Sequence, residues 1–123
     1  MEGKFSFEDL LVWSKSVDFC NQVINLTESI NTDRKHFRLI EQLEAASASI
    51  SSNIAEGNGR FSKKEFIQFL YIARGSLYET VNLLIVFYHR NWIKEDALQT
   101  LKLSGIEIGK MISGLIASVK RQL

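Results

Sequence analysis

A chain of 123 residues, 46% hydrophobic and 24% charged, has the size and composition of one globular domain and not those of a disordered chain. Fifteen basic against fourteen acidic side chains leave a net charge of +1, without the bulk basic excess of many nucleic-acid and membrane binders. Cys20 is the lone cysteine, which excludes an intramolecular disulfide and fits a small buried hydrophobe on an apolar helix face.

The opening MEGKFSFEDLL has neither the basic start nor the long apolar stretch of a signal peptide. No apolar run approaches the ~20 residues of a membrane span, so the expectation is a cytoplasmic protein with no membrane partner. Proline is absent from the sequence. Every hard helix breaker is therefore missing, and long uninterrupted helices are favoured.

The first helix is expected over about residues 7–28, with Ser6 as N-cap and Phe5 stapled to Leu10. Leu10, Trp13, Val17, Cys20 and Ile24 form one apolar stripe at helical spacing, and Phe19, Val23, Leu26 and Ile30 a second. The second helix is expected over about residues 34–56, with Asp33 as N-cap, Phe37, Ile40, Leu43, Ile50 and Ile54 in register, and Gly57 as left-handed terminator. From Ala45 to Ser52 every residue except Ile50 is Ala or Ser, which fits close packing against a neighbouring helix.

Ser62-Lys63-Lys64-Glu65 reads as a capping box, stapled by Phe61 and Phe66, and opens a third helix over about residues 63–89. At 1.5 Å per residue that helix is roughly 40 Å long. Its apolar positions extend from Phe66, Leu70, Ala73, Leu77, Leu84 and Tyr88 to Phe69, Ile72, Tyr78, Leu83, Ile85 and Val86. A helix apolar nearly all round is normally covered, and in so small a chain a second subunit is the natural cover, so homo-oligomerisation is inferred. The fourth helix is expected over about residues 95–120, with Gly105 and Gly109 marking close approach to a neighbour. The short connections make successive helices antiparallel. The expected fold is all-α, a single up-down-up-down four-helix bundle domain over residues 1–123.

No catalytic, metal or cofactor site is legible. His36 and His89 lack partners at ligand spacing, and a single cysteine argues against structural zinc. Glu56-Gly57-Asn58-Gly59-Arg60 lacks the Lys-Ser/Thr of a phosphate loop. Asn53, Glu56, Arg60 and Glu79, with Ser76, form the one polar constellation worth weighing. It reads as a network fixing the loop, Glu56 pairing with Arg60 and Asn53 bonding free backbone groups. The basic residues are local. Arg34, Lys35, His36 and Arg38 lie at one end of the bundle with Arg90 and Lys94, and Arg60, Lys63 and Lys64 lie at the other. Each cluster has acidic neighbours. Arg34, Lys35, Arg38, Arg60, Lys63 and Lys64 are the candidate nucleic-acid contacts.

Ser52-Asn53-Ile54-Ala55-Glu56-Gly57, Arg60, Ser62, Lys64-Glu65-Phe66 and Ala73-Arg74-Gly75-Ser76-Leu77-Tyr78-Glu79 together resemble the four-helix bundle family of 23S ribosomal RNA intervening-sequence proteins. Phe7 to Trp13, Gln42-Leu43, Ala46, Met111-Ile112 and Leu115-Ile116 extend the resemblance over nearly the whole chain. It implies a bundle assembled as a ring, typically a homopentamer, with no family catalytic residues to carry over. Asn53, Glu56, Gly57, Arg60, Gly75, Ser76 and Glu79 are then a structural motif. Relatives include the accessory variability determinants of diversity-generating retroelements, which bind nucleic acid and associate with a reverse transcriptase. Two features depart from the family pattern: Glu44 and Ala45 follow Gln42-Leu43 where basic residues are usual, and no proline separates the first two helices. The expectation is a non-enzymatic oligomer binding structured nucleic acid, RNA or DNA, or a ribonucleoprotein. The alternative is a protein-interaction scaffold, or a reverse-transcriptase partner without direct nucleic-acid contact.

Overall fold

The computed structural model describes residues 3–123, and the first two residues of the N-terminal stretch lie outside it. Four α-helices and no strand are formed among the described residues: α1 (Leu11–Glu28), α2 (Phe37–Asn58), α3 (Lys63–His89) and α4 (Glu95–Lys120). Each helix packs against its chain neighbours, and α4 closes on α1, so the helices stand at the corners of a square in chain order.

Side-chain register gives their direction. Ser6 donates to Asn58, Ser47 to Cys20 and Thr27 to Glu44, so positions that rise in α1 fall in α2. Gln42 bonds Glu79 and Ser49 bonds Ser76 across α2 and α3. Lys120 bonds Tyr71, and Arg74 bonds Ser113, across α3 and α4. Lys15 pairs with Glu107 across α1 and α4. The three successive contacts are antiparallel, which is up-down-up-down and leaves α4 antiparallel to α1.

The core follows the apolar stripes. Phe19, Val23, Leu43, Ile50, Ile54, Leu70, Leu77, Leu84, Phe87, Ile108 and Ile112 are fully or almost fully buried. Burial of one such side chain stabilises by about 1.5–3 kcal/mol. Buried hydroxyls are satisfied locally: Ser16 donates to the Val12 carbonyl and Thr80 to the Ser76 carbonyl, each one turn back. Cys20 is buried beside Ser47. At Gly105 an added Cβ would meet Val81 Cγ2 at 3.2 Å. Its lack of a side chain lets α4 approach α3.

Five local expectations are corrected. Residues Ser6–Asp9 form a 3-10 turn, and α1 begins only at Leu11. Glu8 accepts from the Phe5 N–H, and the Phe5 ring stacks on Phe7, so the turn closes on itself and Phe5 is not stapled to Leu10. Helix α2 begins at Phe37, because Asp33, Arg34 and His36 all adopt left-handed φ and break the helical path.

Gly57 lies within α2 with no positive φ, so it does not terminate the helix. Its smallness serves packing instead, since an added Cβ would stand 2.5 Å from Phe69 Cβ. Finally, Ser62 Oγ accepts from the Glu65 N–H at 3.2 Å, but Phe61 is fully exposed and forms no staple with Phe66. The Glu65 carboxylate faces Arg60.

Candidate nucleic-acid interface

Helix α3 ends in a motif that aims one aromatic ring. Arg90 is the C-cap, and Asn91 follows with a left-handed φ of 62°. The Asn91 N–H bonds the Tyr88 carbonyl at 2.9 Å, and the Trp92 N–H bonds the Phe87 carbonyl at 3.0 Å. These two bonds make a Schellman ending, in which the residue after the left-handed position packs back on the last turn. Trp92 does so, edge-on to Phe87 with ring centroids 5.0 Å apart.

The other face of this corner meets the α1–α2 connection. The His36 ring lies 4.8 Å from the Trp92 ring, and the Arg90 guanidinium sits over the same indole at 5.5 Å. The Asp33 N–H bonds Asn31 Oδ1, and the Thr32 hydroxyl bonds the Lys35 carbonyl, so the connection is folded rather than extended. Two separate connections are thereby held as one surface.

That surface gathers Arg34, Lys35, His36, Arg38, Arg90 and Lys94, all exposed. None of them enters an ion pair with another described residue. Carboxylates lie on the same end of the chain: Glu28, Asp33, Glu95 and Asp96. Asp96 is turned inward to its own helix start, accepting from the Ala97 N–H at 2.8 Å.

The opposite end is differently arranged. Arg60 Nη2 lies 2.9 Å from Glu56 Oε1, its Nε 4.0 Å from Glu65 Oε2, and the guanidinium covers the Phe69 ring at 4.8 Å. Its charge is spent within the chain. Lys63 and Lys64 are exposed, beside Phe61. Lys120 Nζ donates to the Tyr71 hydroxyl at 2.8 Å, and this bond holds the phenol below the usual tyrosine range.

The polar constellation does not form one pocket. Asn53 Nδ2 donates to the Ser49 carbonyl and Ser49 Oγ, each at 2.8 Å, and Ser49 bonds Ser76. Asn53 is therefore bonded within α2, bracing the Ser49 hydroxyl that ties α2 to α3, and does not serve the helix end. Glu79 accepts from Gln42 at 3.0 Å, and Glu56 pairs with Arg60. Gly75 is exposed, with nothing within 4 Å of an added Cβ.

A second feature lies on the α3/α4 face. Leu77, Val81, Ile85, Gly105 and Gly109 floor an open groove of about 580 Å³, with Tyr78 and Ile106 at its lips. Tyr78 is 66% exposed and Ile106 53%. Part of the apolar excess of α3 lies here, while Tyr71, Ile72 and Val86 are exposed elsewhere on the helix. Among the described residues no three His, Cys, Asp or Glu side chains come together as a metal site, and no helix is long and apolar enough to cross a membrane.

The sequence reading placed Arg90 and Lys94 with the cluster at Arg34 but missed the ring stack that joins them. An asparagine followed by a hydrophobe just past the last helical residue is the one signal that pointed to Trp92. The left-handed run at Asp33, Arg34 and His36 carries no glycine and left no signal.

Residues 8–114 match the family described as 23S rRNA-intervening sequence protein. Among solved structures, the chain is similar to a protein of unknown function from the S23 ribosomal protein family of Bacteroides thetaiotaomicron. The two are 26% identical with a TM-score of 0.81, over 87% of this chain and 96% of that one. No curated protein matches it in sequence. With the match spanning all four helices of the bundle, this chain belongs to the 23S rRNA-intervening sequence protein family.

Proposed function

We propose that the chain is a non-catalytic binding module that grips the phosphate backbone of structured RNA with the end bearing Arg34, Lys35, Arg38, Arg90 and Lys94. One observation carries this reading. The tilted His36–Trp92 ring contact joins two connections into a single cationic surface whose charges are not spent on ion pairs within the described chain. Connections joined this way present their cations on one surface, and phosphate contacts add. The family's association with an intervening sequence of ribosomal RNA makes RNA the ligand of choice over duplex DNA.

The test is fluorescence anisotropy with a structured RNA and a matched DNA duplex. Four phosphate contacts give a loss of about 100-fold in affinity between 50 and 200 mM salt. R34E/K35E should weaken binding and flatten that dependence. R60E should do less, because Arg60 is already engaged by Glu56 and Glu65. Equal effects of the two variants, or no binding at low salt, would overturn the assignment.

The exposed apolar groove between α3 and α4 favours a second reading, that copies of the chain associate. The resemblance implies a ring of five, and such a ring would repeat the cationic end around its axis. Sedimentation equilibrium at micromolar concentration tests it, and a compact monomer would remove it. The alternative use of the same groove is a protein partner, such as a reverse transcriptase, with no direct nucleic-acid role. RNA-free complexes surviving nuclease treatment would support that use.

A further inference from the structure

Two surfaces of this chain have no explanation within one copy. The first is the α3/α4 groove. Its lips, Tyr78 and Ile106, stand in solvent, Lys102 and Lys110 flank it, and no carboxylate lines it. The second is the outer stripe of α2, made by Glu41, Ala45, Ala48 and Ser52, all exposed. The Ala- and Ser-rich stretch of α2 is only half accounted for by packing inside the bundle. Ala46 and Ser47 are buried, but this stripe points away from both neighbours. Bonds to α1 leave from Glu44 and Ser47, and bonds to α3 leave from Gln42 and Ser49, with the stripe between them.

The two surfaces match in charge, shape and length. On the stripe Glu41 is the charged side chain, Glu44 and Glu56 being engaged by Thr27 and Arg60, and residues 39–59 contain neither lysine nor arginine to repel Lys102 and Lys110. Small side chains on α2 let a foreign backbone approach closely, so that lips as large as Tyr78 and Ile106 can lie along it. The groove spans Lys102 to Ser113 on α4, and the stripe spans Glu41 to Ser52. Each is three turns of helix, about 17 Å at 1.5 Å per residue.

We propose that the α3/α4 groove of one copy receives the Glu41–Ser52 face of α2 from a second copy, head to tail, an assignment that rests on the self-association reading above. Groove-on-groove pairing about a two-fold axis is disfavoured. It would set Lys102 and Lys110 against their own counterparts and leave the α2 stripe uncovered. A contact between two different faces repeats from copy to copy, and it stops only when the set closes into a ring.

Sedimentation equilibrium of four samples tests this: wild type, K102E/K110E, E41K/A48K, and an equimolar mixture of the two variants, with far-UV circular dichroism confirming that each is folded. Wild type should exceed the mass of two chains. Each variant alone should dissociate at least tenfold more readily. The mixture should regain mass, because the acidic groove of one variant meets the basic α2 of the other. Should either pair of changes unfold the chain, Y78E and A45R replace them as blockers of the two faces, and each should dissociate the wild-type assembly. Wild type saturating at two chains, variants associating like wild type, or a mixture that stays dissociated would overturn this pairing and leave self-association standing. A wild type that is monomeric at micromolar concentration removes both.

Discussion

The imidazole of His36 packs against the indole of Trp92, ring centroids 4.8 Å apart and planes tilted by 38°, and ties the α1–α2 connection to the α3–α4 connection. Phe87 supports the same indole from within the core. Truncating Trp92 removes both contacts at once. Trp92→Ala should cost about 2–3 kcal/mol in urea unfolding, below the range for a wholly buried tryptophan because Trp92 is only partly buried. RNA affinity should also fall, since the two loops lose their common support. Unchanged affinity in the folded variant would mean that the cations act without the stack.

Arg34 sits at φ 64°, where a side chain is strained. The left-handed region costs an ordinary L-residue roughly 1–2 kcal/mol, part of which glycine returns as unfolded-state entropy. Arg34→Gly should therefore raise stability by up to about 1 kcal/mol while weakening RNA binding. A parallel gain in both quantities would show that Arg34 is not kept for contact with phosphate.

Two glycines of the family motif should respond in opposite directions. At Gly57 a Cβ would stand 2.5 Å from Phe69 Cβ and 3.0 Å from Phe66. Gly57→Ala should destabilise by about 1–3 kcal/mol, the usual cost of overpacking. At Gly75, inside α3, nothing lies within 4 Å. Gly75→Ala should stabilise an isolated copy by up to about 1 kcal/mol through helix propensity. Thermal unfolding at a concentration below assembly measures both.

Tyr71 should titrate below an ordinary tyrosine, chiefly because Lys120 donates to its hydroxyl, with the Lys120 and Arg74 charges adding. An acid whose pKa is lowered on folding stabilises the native state only when ionised. The contribution is full above the unfolded pKa near 10 and is lost as pH falls through the folded value. Lys120→Gln should move the 295 nm titration of Tyr71 upward, identified by difference against Tyr71→Phe. No movement would mean that the bond is not kept in solution.

Helix number, order and core were written in the sequence because they rest on local periodicity. Leu70, Leu77 and Leu84 recur every seven residues and face inward wherever a 3.6-residue helix of that stretch packs. The bounds of α3 and α4 were legible for the same reason. Phe61 shows where local reading fails. Its spacing to Phe66 fits a staple, yet its ring is fully exposed, because a staple needs a direction of chain entry that the α2–α3 turn does not provide. Gly57 shows a second failure. A glycine near a helix end has two uses, and only the position of Phe69, twelve residues on and folded back across the turn, selects packing over termination.

By itself the sequence determined an antiparallel bundle of four long helices, a buried Cys20, two basic ends and an α3 with more apolar surface than one copy covers. Tertiary structure alone decided that His36 and Trp92 join the α1–α2 connection to the α3–α4 connection, and that part of the apolar excess of α3 opens as a groove beside Lys102 and Lys110. The first set depends on residues within a turn or two of one another, where spacing implies contact. The second depends on residues from separate helices and loops, some of them more than fifty positions apart like His36 and Trp92, whose meeting no spacing records.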